Sequence, residues 1–390
     1  MNVLWITSVY PSEAEPGSGV FHETQVLALK KLGVEVTVIC PVPCNPPIIR
    51  LIKKKYQQSG CPEVYKRNGI TVYKPKYRAY PGQLRWSQPH KRIANTLLHI
   101  IEAEKLKFDF IHAHFAMPSG GACKIVAEKL KRSWVLTLHG SDVHVYPTFS
   151  NSAKKIFQQA VASADQVIAV GQHLADAAKE KTGKKSIVLP IGIDLSKFKM
   201  SSSSKDSIKK RLSLPEDKRI ITFVGRLIKE KGIFELAESL ENLPKDVVIY
   251  YIGDGPAKEL LQKHPEYNHR LFLLGQIQND LVVDYLLASE IFALPSYTEG
   301  MPTVVIEAIS LKIPVVCTSV GGVPDLFGKF RDVLIEPKSV QSLAKRLNEY
   351  LEGQYDIHAI CEGLYDYVHQ YYEADKNANR LKHHYSTLLR

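Results

Sequence analysis

The sequence predicts an α/β protein of two doubly wound, mostly parallel sheets facing each other across a cleft. Two observations carry that reading: short β-branched and aromatic runs alternate with helix-length spacers, and the pattern restarts past the midpoint. At 390 residues the chain is also longer than one hydrophobic core usually grows. The first set of runs is VLWIT, VEVTVIC, ITVYK, FDFIHAHF, SWVLTLHG, DQVIAV and SIVLPIG; the second is RIITFVG, VVIYYIG, RLFLLG, EIFALPS, IPVVCTS and DVLIE. In the first crossover Val26, Leu29 and Leu32 recur at helical spacing, and Gly33 is placed to end the helix before VEVTVIC. Between the two sets lies the polar, serine-rich SSSSKDS, suited to an interdomain connection. The expected boundaries are a first domain over 1–195, a linker over 196–218, a second domain over 219–364 and a C-terminal segment over 365–390.

Composition is that of an ordinary globular protein, with 45% hydrophobic and 23% charged residues. The six cysteines are sparse, and the opening MNVLWITSVYP lacks a basic stretch followed by a long apolar one, so the expected location is the cytoplasm. Cys40 and Cys44 are spaced like two metal ligands, but no second Cys/His pair answers them, and no residue is assigned to a metal. No apolar run reaches the ~18 residues that span a bilayer. The net charge of +11 is uneven: residues 1–200 carry 28 Lys/Arg against 14 Asp/Glu, and the rest 23 against 26. Residues 50–92 hold twelve cations, interleaved with Tyr56, Tyr65, Tyr73, Tyr77, Tyr80 and Trp86 and opposed by Glu63 alone. Such a stretch suits anionic lipid headgroups or an anionic acceptor, with a solvated face as the alternative; nucleic acid is not expected.

Ligands of open α/β sheets bind outside the carboxyl ends of the strands, which directs attention to two loops. PSYTEGMPTVVIEA, residues 295–308, follows the run EIFALPS. Gly300 frees the backbone, Pro302 suits the first turn of a helix, and the amides that follow are unpaired donors for an anion such as phosphate. Glu299 stands at the mouth of that helix, while Glu307 lies among Val304, Val305, Ile306, Ala308 and Ile309. A carboxylate there needs a polar ligand or a fixed partner; the alternatives are that Glu299 caps the helix and Glu307 makes an internal ion pair. In VGRLIKEKG, 224–232, Gly225 leaves room at the turn, and Arg226 and Lys231 can converge on one diphosphate. Alone, two such cations read as solvated charge.

Taken together these residues resemble glycosyltransferase family 4, the retaining, metal-independent enzymes of the GT-B fold. Glu299 and Glu307 match its two glutamates separated by seven residues, and Gly225-Arg226 with Lys231-Gly232 matches its G-R-x-x-x-x-K-G diphosphate loop. The likeness continues through the stretch Tyr10 to Phe21, L-H-G-S-D (138–142), A-D-Q-V-I-A-V (164–170), P-I-G-I-D (190–194) and I-G-D-G-P (252–256), and so spans nearly the whole chain. The first half is especially similar to bacterial cell-envelope polysaccharide transferases, the teichuronic acid type included.

The resemblance implies a first domain for the acceptor and a second for a nucleoside diphosphate sugar, uridine being preferred to guanosine, with no cofactor beyond that co-substrate. Arg226 and Lys231 would hold the diphosphate in place of a metal, Glu299 would orient the transferred sugar, and Glu307 would accept hydrogen bonds from the ribose. Gly225, Gly300, Met301, Pro302 and Thr303 would line the sugar and phosphate positions, with Ile277 near the base. From the first domain, His139 would hydrogen-bond the sugar, and Gly17 and Gly19 would let the backbone approach it. Asp142 fits the same pattern, either touching substrate or fixing its loop. Residues from about Leu364 to Arg390, with Tyr365, Tyr367, Tyr371 and Tyr372, match the last helix of such proteins, which returns to the first domain. The implied acceptor is lipid-linked or a polysaccharide, reached by an enzyme resting peripherally on the inner face of the cell membrane. An epimerase or sugar-phosphate synthase of the same fold, or a non-catalytic basic membrane-binding protein, are the other readings.

Overall fold

The computed structural model describes residues 1–46, 62–83, 87–198 and 204–389. It divides into two compact units, Met1–Ile193 with Ala374–Arg390, and Asp194–Glu373. Strands of the first are β1 (Asn2–Ile6), β2 (Glu35–Ile39), β3 (Val42–Cys44), β4 (Val64–Arg67), β5 (Ile70–Tyr73), β6 (Lys76–Arg78), β7 (Phe110–His114), β8 (Trp134–Leu138), β9 (Gln166–Ala169) and β10 (Ile187–Val188). Eight of them form one sheet in the order β10-β9-β8-β7-β1-β2-β5-β4, and β3 pairs with β6 apart from it. All pairs are parallel except the edge pair β4–β5, joined by a tight turn at Asn68-Gly69. Strands β7 and β8 are buried along their whole length, as parallel strands covered on both faces require.

The second unit holds β11 (Arg219–Val224), β12 (Val247–Ile252), β13 (Leu271–Gly275), β14 (Ile291–Leu294) and β15 (Val315–Cys317) in the order β13-β12-β11-β14-β15, all parallel. The strand order reverses between β11 and β14, and between β1 and β7 in the first unit. Crevices at such switch points are where doubly wound sheets bind ligands. Both predicted loops, 225–232 and 295–302, lie at the reversal in the second unit.

Three expectations are corrected. The run DVLIE is not a strand; its pairing is the isolated bridge Thr318–Ile335. Within the expected linker, Lys205–Arg211 is a helix capped by the Ser204 hydroxyl, which accepts from Ser207 N; Ile208 is buried and Arg211 lies 2.6 Å from Asp284. Polar residues dominate this passage, but one apolar anchor and the ion pair dock it onto the second unit. The C-terminal segment is two helices with different allegiances. Ile357–Tyr371 stays with the second unit, where the Tyr367 and Tyr372 hydroxyls donate to Asp325 O at 3.1 and 3.0 Å. Ala374–Leu388 belongs to the first, packed on the helix Val20–Lys31. Its Ala374, Ala378, Leu381 and Tyr385 share a core with Val3, Trp5, Val26 and Leu29. Its start is held by Ala374 N to Ile193 O and Asn377 Nδ2 to Pro190 O, each 3.0 Å.

Candidate functional site

In the second unit the two predicted loops meet. Tyr297 N donates to Glu230 O at 2.8 Å, and Lys231 Nζ lies 2.6 Å from Glu299 Oε1, which also accepts from Ser296 Oγ at 2.6 Å. The Glu299 side chain is 7% exposed and that of Lys231 26%. A carboxylate this sheltered needs such partners, and the pair presents one fixed cation beside one fixed acceptor. Glu299 does not cap the helix Thr303–Ser310: Pro302 occupies the cap position and no side chain caps the first turn. The first amides of that helix stay available to an anion.

The same unit holds a pocket of about 530 Å³, lined by Gly225, Arg226, Gly253, Asp254, Gly255 and Gln276. It is held by bonds between successive loops: Gly253 N donates to Gly275 O at 2.8 Å, and Leu227 N to Asp254 O at 3.0 Å. Arg226 is exposed, so its guanidinium is free of the sheet; Ile277 follows the lining residue Gln276 in the chain. Met301 and Thr303 are half-buried, Pro302 is buried and Gly300 exposed. Burial pushes the Glu307 carboxyl up to about 7, although a hydrogen bond from the Thr303 hydroxyl one turn earlier opposes the shift.

Sequence reasoning assigned no role to Ser296, or to Gly253, Asp254 and Gly255. The glycine-rich I-G-D-G-P at the end of β12 was the available signal, because it too follows a strand.

In the first unit, His139 directly follows β8. Its backbone amide and that of Gly140 donate to Asp142 Oδ1 at 3.0 and 2.8 Å, and Ala116 N donates to Asp142 Oδ2 at 2.8 Å. Asp142 is fully buried, so its carboxylate fixes the loop that carries His139. The His139 ring does not stand alone: its Nε2 is 3.0 Å from His114 Nδ1, and His22 and His112 adjoin. Burial lowers His22 and His114 well below the ordinary imidazole range and brings His112 and His139 to about 3. Gly19 opens the helix Val20–Lys31 at φ 74°, with Val9 C and O each 2.9 Å from where a Cβ would sit. Gly17 meets nothing within 4 Å, so packing gives no reason for a glycine there.

The basic stretch is partly committed to structure. Arg67 Nε lies 2.7 Å from Glu23 and Lys76 Nζ 2.8 Å from Glu63, Lys74 is buried, and Arg92 bonds Gln83 Oε1 at 2.9 Å with its guanidinium over the Tyr80 ring. Lys66, Arg78 and Lys91 are exposed; Arg50, Lys53, Lys54, Lys55, Tyr56, Arg85 and Trp86 lie outside the described residues. Among the described residues no helix is long and apolar enough to cross a membrane.

Two doubly wound units, the second with two loops meeting at its switch point, define a class, and comparison with known proteins agrees with it. The model of Glycosyltransferase Family 4 matches residues 17–197, and that of Glycosyl transferases group 1 matches 204–365. A Bacillus subtilis (strain 168) protein named as a teichuronic acid biosynthesis glycosyltransferase, TuaC, is 51% identical over 391 residues, covering 100% of this chain and 99% of its own. An Escherichia coli UDP-Gal:alpha-D-GlcNAc-diphosphoundecaprenol alpha-1,3-galactosyltransferase is 30% identical, covering 63% of this chain and 66% of its own. Among solved structures, Anabaena HepE in complex with UDP superposes with a TM-score of 0.76 at 18% identity, over 99% of this chain and 100% of that one. The chain belongs to glycosyltransferase family 4 and has the GT-B fold; it is a transferase.

Proposed function

We propose that the protein is a retaining glycosyltransferase of cell-envelope glycan synthesis, moving a sugar from a uridine diphosphate sugar to a hydroxyl of a lipid-linked or polysaccharide acceptor. The observation that carries this reading is the Lys231–Glu299 pair, in the same unit as the Arg226 pocket and on the loop that enters an uncapped helix. The relatives support its details: one is named for teichuronic acid biosynthesis, another for transfer from UDP-Gal to a diphosphoundecaprenol-linked sugar, and HepE was solved with UDP.

In this reading the bond from the anomeric carbon to the diphosphate oxygen breaks, and the charge left on the diphosphate is met by Arg226, Lys231 and the first amides of Thr303–Ser310. Fixed donors aimed at developing charge are commonly the largest contribution to catalysis, and here they act without a metal. The acceptor hydroxyl attacks from the same face and passes its proton to the departing phosphate, so the anomeric configuration is retained. Glu299 holds the sugar hydroxyls, with Gly300, Met301, Pro302 and Thr303 around it; Glu307 accepts from the ribose; Gly225 lets the diphosphate approach and Ile277 lies by the base. His139 hydrogen-bonds the sugar, and Gly17 and Gly19 admit the backbone to it. The enzyme works in the cytoplasm, drawn to anionic lipid by Lys66, Arg78, Lys91 and their basic neighbours in 50–92.

Calorimetric titration with uridine, guanosine and adenosine diphosphates, with and without magnesium, tests the donor site. UDP binding that needs no magnesium and weakens at least ~10-fold in Glu307→Ala is the expected result. Absence of nucleotide binding by the folded wild type would overturn the assignment, and an inverted glycosidic product would overturn retention.

A further inference from the structure

We infer that His114 is the positioning residue for His139, and that it fixes the ring so that His139 offers its Nδ1–H, as a hydrogen-bond donor, to an oxygen of the transferred sugar. This deepens the reading of His139 given above and rests on it. His114 is the last residue of β7 and is 0% exposed, and its Nδ1 is 3.0 Å from His139 Nε2. Burial lowers the pKa of both rings, so each is neutral near pH 7 and carries its one proton on one nitrogen. One ring therefore donates across that contact and the other accepts. The direction decides what the second nitrogen of His139 can do.

The hydrogen-bond network assigns that direction. His114 Nε2 is buried without a partner. If it bore the proton, an N–H stripped of water would have no acceptor, which is the rarer and costlier defect; a bare lone pair there costs less. The proton is then on Nδ1, His114 donates to His139 Nε2, and the His139 proton sits on Nδ1. His22 shows the same pattern by an independent route. The Thr7 hydroxyl donates to Val9 O at 3.2 Å, so it accepts from His22 Nε2–H at 2.8 Å, and the orphaned Nδ1 of His22 is again the bare nitrogen. Among the described residues the His139 ring makes its one hydrogen bond through Nε2, which leaves Nδ1 for a ligand.

Ring contacts hold the pair in plane. Trp5 stacks on His114 at 4.0 Å. Phe115, next in the chain, takes φ 68°, which bulky side chains avoid, and its ring lies 4.3 Å from that of His139 at 32°. Such backbone strain persists where the surroundings over-determine it, and it gathers at functional sites. A neutral N–H suits this place. It binds a hydroxyl oxygen in a fixed direction and adds no positive charge beside an anomeric carbon that turns electron-poor as its bond to the diphosphate breaks.

Ring ¹⁵N spectra of the full-length, histidine-labelled protein read the tautomers directly, with the His139 signals assigned by their loss in His139→Gln. The expected result at pH 7 is a protonated Nδ1 and a bare Nε2 in His139; a proton on His139 Nε2 would overturn the assignment. Turnover tests the role of His114. His114→Leu is expected to lower kcat at least ~10-fold with UDP affinity unchanged, and His114→Asn, whose amide can donate from the place of Nδ1, to recover most of that loss. Wild-type turnover in folded His114→Leu, or equal losses in folded His114→Leu and His114→Asn, would overturn the role. Should both variants misfold, the spectra of the wild type still decide. Those spectra need no nucleotide, so the tautomer and the donor reading fail separately.

Discussion

Lys231 Nζ sits 2.6 Å from Glu299 Oε1, joining the loop after β11 to the loop after β14. Ser296 Oγ shares that oxygen, so the carboxylate is held by two donors before any ligand arrives. One residue thereby positions the group assigned to the sugar while itself facing the position assigned to the diphosphate.

Lys231→Met is expected to lower kcat by at least ~100-fold, the usual consequence of removing a fixed donor at developing charge. It also leaves Glu299 sheltered with a hydroxyl as its remaining partner, which costs about 1–3 kcal/mol. Release of UDP under saturating donor and acceptor measures the first effect and urea unfolding the second. A variant with wild-type turnover would remove Lys231 from the site.

The Glu307 carboxyl, raised to about 7 by burial, makes stability depend on pH. Between the ordinary carboxyl value and about 7 the native state keeps a proton that the unfolded chain has lost, so stability is fully present below that window and falls as pH rises through it. Glu307→Gln abolishes the dependence. Its urea midpoint is expected to gain on wild type between pH 5 and pH 8, and parallel profiles would contradict the assignment.

Gly321 adopts φ 53°, and a Cβ there would lie 1.8 Å from Glu299 O. The obstructing atom is backbone, so Gly321→Ala must move the loop that carries Glu299. Destabilisation of about 1–3 kcal/mol, with at least ~10-fold lower kcat, is expected in urea unfolding and steady-state turnover. Unaltered kinetics would mean that the loop moves without disturbing the site.

Tyr385 ties the last helix to the sheet through its bond to His112 Nδ1. Tyr385→Phe is expected to cost about 1–2 kcal/mol, since it leaves that buried nitrogen unsatisfied. Deleting 374–390 uncovers Leu381's and Tyr385's partners in the first-unit core and is expected to abolish cooperative unfolding. A truncated chain with a wild-type melting curve would contradict the role given to this helix.

Much of the second unit was legible because its chemistry is local. A strand, a turn glycine and a polar side chain within a few residues place Arg226, Lys231, Glu299 and Glu307 at the carboxyl edge of a sheet, whatever the rest of the chain does. The contact of Lys231 with Glu299 was not legible, because it joins residues 68 apart and depends on β11 and β14 being neighbours. Ser296 escaped notice for the same reason: its value lies in which carboxylate it faces.

The C-terminal segment shows the limit differently. Its residues from about Leu364, with tyrosines at 365, 367, 371 and 372, were expected in one last helix returning to the first domain, but the chain changes unit between Glu373 and Ala374, and Tyr385 makes the first-unit contact. Local patterns carry burial, not the identity of the surface that buries them.

By itself the sequence determined two α/β domains, the order of most of their strands along the chain, and two polar loops that follow strands of the second, since hydrophobic periodicity and turn residues act over a few positions. Tertiary structure alone decided which strands are neighbours, which unit each C-terminal helix joins, and that His22, His114 and His139 share one buried cluster. Those outcomes follow from packing between segments distant in the chain, where each side chain's partner is set by the sheet order and not by its neighbours in the chain.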